Sequence, residues 1–370
     1  MGRRMISRMF EALLTLSGVF YGASAFAFPE MVRHGYQNCT ACHVSPTGGG
    51  VLTPYGRQQI ADLLSTWSWP GEEGPAEGLL KTPEWLNVGG DARAIEIYRD
   101  TPQVTAARFL NMQEEVEAAA TVGKYTFDFA PGLYMGEAAL RRAYLNYRPT
   151  ETLSLRAGKF EQAFGLMSDD HTTPIRRGLG WDQGSETYNV EAAWLGETFN
   201  AYATLNLGPL DSKLINSDAK EKGLALRFGY PFWDRFQVGA SYFRGQASAF
   251  QRDVGGPFAM LGFTNRFFLM SEVDVQHVFH SNDEYFVNQT NFVTWNKLDY
   301  EWAQGFHVYL TYSQTQAQAD PYSPTSAWGF GSQWFPRPHF EFNGQWQFQK
   351  VNALRASTLS YATLLMHYYF

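Results

Sequence analysis

From residue 84 to the C-terminus, apolar and polar residues alternate with a period of two. Clear examples are 190–194, 199–206 and 340–348. This alternation is typical of a β-strand that has one apolar face and one face in contact with water. We count about sixteen such segments, the tenth of them at 257–264, and they predict an all-β chain.

The spacers between these segments alternate in length. One set is very short, for example 149–150, 196–197 and 303–304, whereas the other set contains longer loops such as 161–185. Short periplasmic turns that alternate with longer outer loops are typical of outer-membrane barrels. The sequence therefore predicts an antiparallel transmembrane β-barrel of about sixteen strands.

Composition supports this fold class and excludes others. Aromatic residues make up 16% of the chain and charged residues 18%, with a mean hydropathy of −0.31. Beyond residue 27 there is no apolar run of about 18 residues, so a helical membrane protein is excluded, and the aromatic content excludes a disordered chain. The apolar strand faces predict outer-membrane lipid as a partner. The net charge of −7 gives no reason to expect nucleic acid.

Both ends of the chain indicate export to the cell outer membrane. Residues 1–27 have the pattern of a secretory signal peptide: basic residues, an apolar stretch at 13–21 and small residues at 25 and 27. A short amphipathic helix is the alternative for this segment. At the other end, the last strand finishes at Phe370, which resembles the recognition signal of bacterial outer-membrane barrels.

The only two cysteines of the chain form the motif Cys39-x-x-Cys42-His43. This is the attachment motif of a c-type haem: two thiols one turn apart reach both vinyl groups of one porphyrin, and the histidine is the proximal iron ligand. Alternatives are a thioredoxin-like redox pair, half of a zinc site and a structural disulfide. No βαβ pattern and no second cysteine pair supports the first two. We predict one covalently attached haem c.

The motif leaves the sixth iron ligand open. The candidates are two residues just upstream and three histidines on polar strand faces near the predicted periplasmic ends: Met31, His34, His307, His339 and His367. An open or water-bound position and ordinary solvated histidines are the alternatives.

Other charged residues are assigned to the haem segment or to the lumen. Arg33 and Arg57 are candidates for pairing with the haem propionates, with ordinary surface arginines as the alternative.

Loop 161–185 either folds inward as a constriction or stays solvated, and we expect it to be solvated. No catalytic arrangement of residues is visible. The predicted charged lumen residues are Glu115, Glu117, Asp128, Arg156, Glu191, Arg227, Lys297, Asp299, Glu301 and Glu341.

These features predict four regions along the chain. They are a signal peptide at 1–27, a haem segment at 28–69, a turn-rich linker at 70–83 and the barrel at 84–370. A helix is expected from about Pro54 to Trp67 within the haem segment. The linker spans at most about 45–50 Å, so the haem is expected at the periplasmic mouth or inside the lumen.

The N-terminal segment contains a series of residues around the motif: Phe28-Pro29, Arg33, Cys39 to His43, Pro46, Leu52, Pro54 and Tyr55-Gly56-Arg57. With these residues it resembles the N-terminal segment of the fused monohaem cytochrome–porins, a family best known as outer-membrane iron oxidases, with departures at Tyr55 and Gly48 to Gly50. Of the matching residues, only Cys39, Cys42 and His43 carry over a role, as haem ligands. The resemblance implies electron transfer between an extracellular redox donor or acceptor, with Fe(II) as a candidate, and a periplasmic cytochrome or other electron carrier.

The sequence analysis thus predicts an outer-membrane monohaem c-type cytochrome–porin that moves electrons across the outer membrane. Three other functions stay open. One is a diffusion porin whose haem segment plugs the lumen or docks to a partner, and the second is a haem-based redox or gas sensor. In the third, the haem domain is periplasmic and only passes electrons to a partner. The sequence does not decide whether the protein is also an enzyme that oxidises an extracellular metal such as iron.

Overall fold

Sixteen antiparallel strands close into one barrel in the computed structural model of the protein. The structure describes residues 29–101, 104–168, 170, 173–181, 185–210, 220–248, 250–282, 285–318, 324–351 and 358–370, so the predicted signal peptide lies outside the described residues. The strands are β1 (Leu86–Asp100), β2 (Thr105–Val122), β3 (Tyr125–Tyr134), β4 (Glu137–Tyr147), β5 (Leu153–Phe160), β6 (Thr187–Leu195), β7 (Asn200–Asn206), β8 (Lys222–Phe232), β9 (Phe236–Gln246), β10 (Phe250–Gly262), β11 (Phe267–Asn282), β12 (Tyr285–Ala303), β13 (Phe306–Ala317), β14 (Thr325–Trp334), β15 (Phe340–Val351) and β16 (Thr358–Tyr369).

The barrel closes where its first strand meets its last. β1 pairs with β16 in a register that runs from Asp91 opposite Tyr369 to Asp100 opposite Ser360. Every other pair joins strands that are neighbours in the sequence. Closure pairs the backbone groups of both terminal strands, which is the condition for a sheet to lie in lipid. The predicted fold class and the count of sixteen strands are confirmed.

The period-two pattern decides which side chains face outward. In β8, Leu224, Leu226 and Phe228 are exposed, whereas Ala225 and Arg227 between them are buried in the interior. The ten charged residues predicted for the lumen are all buried, none with more than 8% of its surface exposed. Alternation therefore placed the polar face of the strands correctly.

β10 is longer than the sequence predicted, because it begins at Phe250 instead of residue 257. The residues that look like a turn, Gly256 and Pro257, lie inside the strand. A Cβ atom on Gly256 would fall 1.7 Å from the carbonyl oxygen of Val273 on β11, so glycine is needed for the close approach of the two backbones.

The helix expected from about Pro54 to Trp67 is shorter than predicted. Helix α1 spans Pro54–Gln59 and continues as one π-helical turn, Ile60–Leu64. The π-turn ends where the Ser65 amide donates to the carbonyl of Ile60 at 3.1 Å. None of the described helices is long and apolar enough to cross a membrane.

Two segments occupy the lumen. We call residues 29–66 the plug and the described residues that follow β5, 161–168, 170 and 173–181, the inner loop; the inner loop contains helix α2 (Pro174–Arg177). Phe164, Leu166 and Ile175 of the inner loop are buried against apolar side chains that point inward from the barrel wall. The expectation of a solvated loop is therefore wrong. Burying each of these side chains contributes about 1.5–3 kcal/mol, which favours the inward position.

We predict that the outward face of the strands tolerates no charge near mid-membrane. Leu310 lies on β13 between outward-facing neighbours and is 55% exposed. Leu310→Arg should lower the free energy of unfolding from lipid vesicles by about 2–4 kcal/mol. The matched control is Leu210→Arg in the connection after β7, which should change it little. Equal effects of the two variants in urea titrations would contradict the assigned lipid face.

Candidate functional site

The plug lies at the end of the barrel where the short turns are. Its hydrogen bonds reach three of these turns and the first strand, so it is tied to widely separated parts of the wall. The bonds run from Asn38 Nδ2 to the Gly196 carbonyl at 3.2 Å, from the Thr66 amide to the Phe335 carbonyl at 2.9 Å, from Gln304 Nε2 to the Ser65 carbonyl at 3.0 Å, and from Arg57 Nη2 to the Val88 carbonyl at 2.5 Å.

The Cys-x-x-Cys-His motif forms a single tight turn within the plug. A 3₁₀-helix spans Cys39–Ala41, and the carbonyl of Cys39 accepts from the amides of Cys42 at 3.2 Å and His43 at 2.9 Å. No disulfide joins the two cysteines. The two thiol-bearing residues are therefore one turn apart, and the histidine follows directly.

A glycine turn brings the chain back onto this motif. Gly48, Gly49 and Gly50 all have positive φ, at 79°, 69° and 66°, which favours glycine. The returning chain pairs in antiparallel fashion, with Leu52 opposite His43. The three glycines that depart from the cytochrome–porin pattern thus form the turn that holds His43 in place.

Helix α1 packs directly on the motif. Its N-terminal residue Thr53 caps the Gly56 amide at 3.0 Å through Oγ1, and the Thr53 amide donates to the carbonyl of Cys42 at 2.7 Å. A Cβ atom on Gly56 would lie 2.4 Å from that same carbonyl oxygen. The close contact explains why a glycine stands between Tyr55 and Arg57.

An apolar cluster holds the plug against the last strands of the barrel. It joins Met31, Cys42, Leu52, Ile60 and Leu64 of the plug to Phe335 and Tyr369 of the wall. Met31 and Cys42 are almost fully buried, at 0% and 1% exposure. The cluster excludes water from one side of the motif.

The motif faces a cavity of about 200 Å³ between the plug, the wall and the inner loop, and Leu52, Ile60 and Tyr369 of the apolar cluster also line it. Cys42 and His43 line this cavity, together with His367 of β16 and Met167 of the inner loop. Cys39 instead lies near Tyr202 and Arg227 of the wall.

Five arginines line the cavity, and each is paired with carboxylates. The positive charges are thereby balanced inside the wall, so the cavity has no net excess of cationic groups from them. The pairs are Arg93 with Asp91, Arg141 with Glu186, Arg142 with Glu115 and Glu117, Arg156 with Glu191, and Arg176 with Glu161.

His43 is suited to bind a metal as the neutral imidazole. Burial lowers its pKa to about 4, although the backbone of Gly50 and the charge of Glu117 oppose this shift. The imidazole is therefore uncharged at neutral pH, which is the form that ligates metals. Its Nδ1 atom is buried and has no hydrogen-bond partner among the described residues.

The thiols are protonated in this environment. Burial raises the pKa of Cys39 to about 11, against the opposing charge of Arg227. Burial raises the pKa of Cys42 as well, and the neighbouring Cys39 adds to the shift. Since the thiolate is the reactive form, both side chains are poor nucleophiles in the folded barrel.

Of the five candidate sixth ligands, only His367 lines the cavity. Both of its ring nitrogens are paired with carboxylates, Nδ1 with Glu341 at 2.9 Å and Nε2 with Asp91 at 2.8 Å. On β13, His307 Nδ1 pairs with Asp299 at 2.8 Å.

The three remaining candidates lie elsewhere in the plug region. His339 Nε2 is 2.8 Å from the carbonyl of Glu72, and burial lowers the pKa of this histidine. His34 Nε2 accepts from Arg33 Nε at 3.0 Å, and Met31 lies in the apolar cluster. The structure thus disperses these candidates, and their role as ligands stays a prediction. Within the described residues no group of three or more His, Cys, Asp or Glu side chains is arranged to hold a metal ion.

The two arginines proposed for haem propionates also lie away from the cavity. Arg33 is buried over the ring of Phe268 at 4.9 Å and pairs with Glu301 at 3.5 Å, while Arg57 binds a backbone carbonyl. The sequence analysis missed the arginines that do line the cavity, although Arg156 was correctly placed in the lumen.

The analysis of the sequence also missed the turn that presents Met167 to the cavity. The Met167 amide donates to the carbonyl of Phe164 at 3.2 Å, and both Gly165 and Met167 have positive φ, at 55° and 54°. For a non-glycine residue this conformation costs about 1–3 kcal/mol and persists only where surrounding contacts impose it.

Comparison with known proteins identifies the barrel type but not the plug. No protein-family model and no curated protein matches the sequence. Among solved structures, the chain is similar to OmpT of Vibrio cholerae, with a TM-score of 0.61 and 12% identity over 79% of this chain and 99% of that one.

Two further similar structures are named as porin or channel. The anion-selective porin from Comamonas acidovorans matches with a TM-score of 0.60 and 10% identity, over 77% of this chain and 99% of that chain. The outer-membrane channel DcaP of Acinetobacter baumannii matches with a TM-score of 0.56 and 11% identity, over 79% and 99%. At these identities the likeness shows the fold, which is that of outer-membrane porin barrels.

We predict that Gly165 is required for the inward position of the inner loop. A Cβ atom there would lie 1.9 Å from Oε1 of the buried Glu272, so Gly165→Ala must displace one of the two groups. The control Gly136→Ala shares the positive φ but has nothing within 4 Å. Gly165→Ala should lower the free energy of unfolding by at least ~1 kcal/mol more than the control, measured by tryptophan fluorescence in urea. Equal losses would contradict the contact.

We also predict that both thiols are protected in chain produced without haem attachment. At about pH 8 the raised pKa values leave little thiolate, so maleimide should label the folded barrel far more slowly than the chain in guanidinium. A Glu137→Cys variant, exposed at the start of β4, serves as the reactive control. Labelling of the native cysteines as fast as of this control would contradict the burial of the motif.

Proposed function

We propose that the protein is an outer-membrane porin-type barrel whose lumen is occupied by a plug that carries one covalently attached haem c. The observation that carries the proposal is the position of the motif: Cys42 and His43 line a cavity inside the barrel lumen. Export and outer-membrane localisation are supported by the likeness to barrels named as outer-membrane proteins. Outer-membrane lipid is then the partner of the apolar outer face.

The residues of the motif fit a c-type haem in their chemistry. Cys39 and Cys42 lie one turn apart and would hold the porphyrin as thioethers, and His43 would be the proximal ligand. His43 is neutral at neutral pH, which is the form of imidazole that ligates metals. When bound, the haem supplies a one-electron redox centre.

The protein's own contribution is to enclose this position. Apolar residues of the cluster, among them Leu52, and the paired arginines surround the cavity that Cys42 and His43 line. Burial and hydrogen bonding of this kind tune the potential of a haem.

The comparisons favour a diffusion porin over electron transfer, because the similar structures include an anion-selective porin and an outer-membrane channel. The haem of the plug rests on the Cys-x-x-Cys-His motif alone. The plug and the inner loop, in contrast, fill parts of the lumen that solutes would cross. Solute passage in this protein therefore calls for displacement of the plug or for a path around it.

Electron transfer between an extracellular redox donor or acceptor and a periplasmic carrier is the second candidate function. The observation that favours it is the placement of a haem-attachment motif inside a membrane-spanning wall, at the mouth with short turns. Fe(II) as the donor is part of this second candidate and rests on the resemblance of the plug alone.

The two functions give opposite results in liposomes and planar bilayers. We expect the denatured wild-type protein to stain for covalent haem and a Cys39→Ser/Cys42→Ser double variant to lose the stain. Ion conductance in planar bilayers, with no reduction of a redox dye inside liposomes, indicates the porin. Dye reduction from outside without conductance indicates electron transfer. A wild-type chain without covalent haem would contradict both haem-based functions and leave a porin-type barrel with a protein plug.

A further inference from the structure

We propose that Met167 of the inner loop is the sixth ligand of the haem iron, through its thioether sulfur. The inference rests on the proposed function, because it requires the haem that Cys39, Cys42 and His43 attach. It assigns a role to a loop that folds into the lumen more than a hundred residues after the motif.

The cavity next to the motif offers few groups that bind haem iron. Imidazole and thioether are the usual axial ligands of c-type haem. In the described part of the cavity wall these groups belong to His43, His367 and Met167. His43 is the proximal ligand of the motif, so His367 and Met167 remain.

His367 is held by its own partners. Asp91 and Glu341 pair with its two ring nitrogens at 2.8 and 2.9 Å, and all three side chains belong to strands of the closed wall. To bind iron, His367 would have to give up one of these carboxylates, and a buried charge would lose its partner. Met167 has no such cost, because a thioether is only a weak hydrogen-bond acceptor.

The turn that carries Met167 is fixed by buried polar contacts from three strands. The Gly165 amide donates to Ser241 Oγ at 2.9 Å, the Leu166 amide donates to Glu272 Oε2 at 2.7 Å, and Arg227 Nε donates to the Gly165 carbonyl at 2.7 Å. These contacts hold Met167 itself in a positive-φ conformation. Strain of this type, maintained by surrounding contacts, is characteristic of functional positions.

Met31, the other methionine near the motif, lies in a different place. It is fully buried in the apolar cluster that contains Cys42, and it does not line the cavity. Met167 is only partly buried, with Ala193 and Tyr202 beside it. The two methionines therefore make a matched pair for an experiment.

The experiment uses the full-length haem protein purified in detergent. Met167→Leu and Met31→Leu both keep the side-chain volume and remove the sulfur, which limits the disturbance of packing. The first readout is the weak near-infrared charge-transfer band that a thioether gives to low-spin ferric haem. The second is the reduction potential, which a methionine ligand raises. Covalent haem content is measured separately on the denatured chains.

We expect the band in the wild type and in Met31→Leu, and its loss with a lower potential in Met167→Leu. Met167→His should restore a low-spin spectrum without the sulfur band. A band that survives Met167→Leu, that disappears in Met31→Leu, or that is absent from the wild-type haem protein overturns the assignment. A chain with no covalent haem overturns the proposed haem function itself, so the two failures are distinguishable.

Discussion

Closure of the backbone hydrogen-bond ladder is the constraint on which the rest of this structure depends. In lipid, a strand with unpaired amides and carbonyls is too costly, so β1 must find β16. A closed ring of sixteen strands encloses a lumen that the side chains of the wall alone do not fill. The apolar stripe on the outside follows from the same constraint. The function of such a barrel therefore depends on which residues occupy its lumen.

Here the lumen is occupied by two segments from different parts of the chain. Phe243 and Phe258 point inward and would be exposed to water in an open channel, but both are buried against the inner loop. Their burial offsets the loss of freedom in ordering the loop. The plug covers inward-facing groups at the end of the barrel that has the short turns. There it forms hydrogen bonds with several of these turns. The Cys-x-x-Cys-His motif is therefore built into the interior of the barrel.

The strands could be predicted from the sequence because their pattern is local. A period of two assigns each side chain to a face, and the buried positions of Glu117 and Asp299 follow from it without knowledge of the partner strand. The inner loop could not be predicted in this way. Its position depends on Ser241 and Glu272, which are remote in sequence and reach the turn at Gly165 only after the barrel has closed. The Cys-x-x-Cys-His motif could be predicted in part. Its spacing predicts haem attachment, but the sequence does not show which residues surround the motif in the folded barrel.

The charges of the cavity wall are arranged in pairs of opposite sign. Arg142 faces Glu115 and Glu117, and Arg156 faces Glu191, so both of these arginines have a carboxylate beside them. A buried charge that loses its partner is strongly destabilising, so these pairs hold the strands in register and act as fixed parts of the wall. Paired charges leave little net field in the cavity for steering ions.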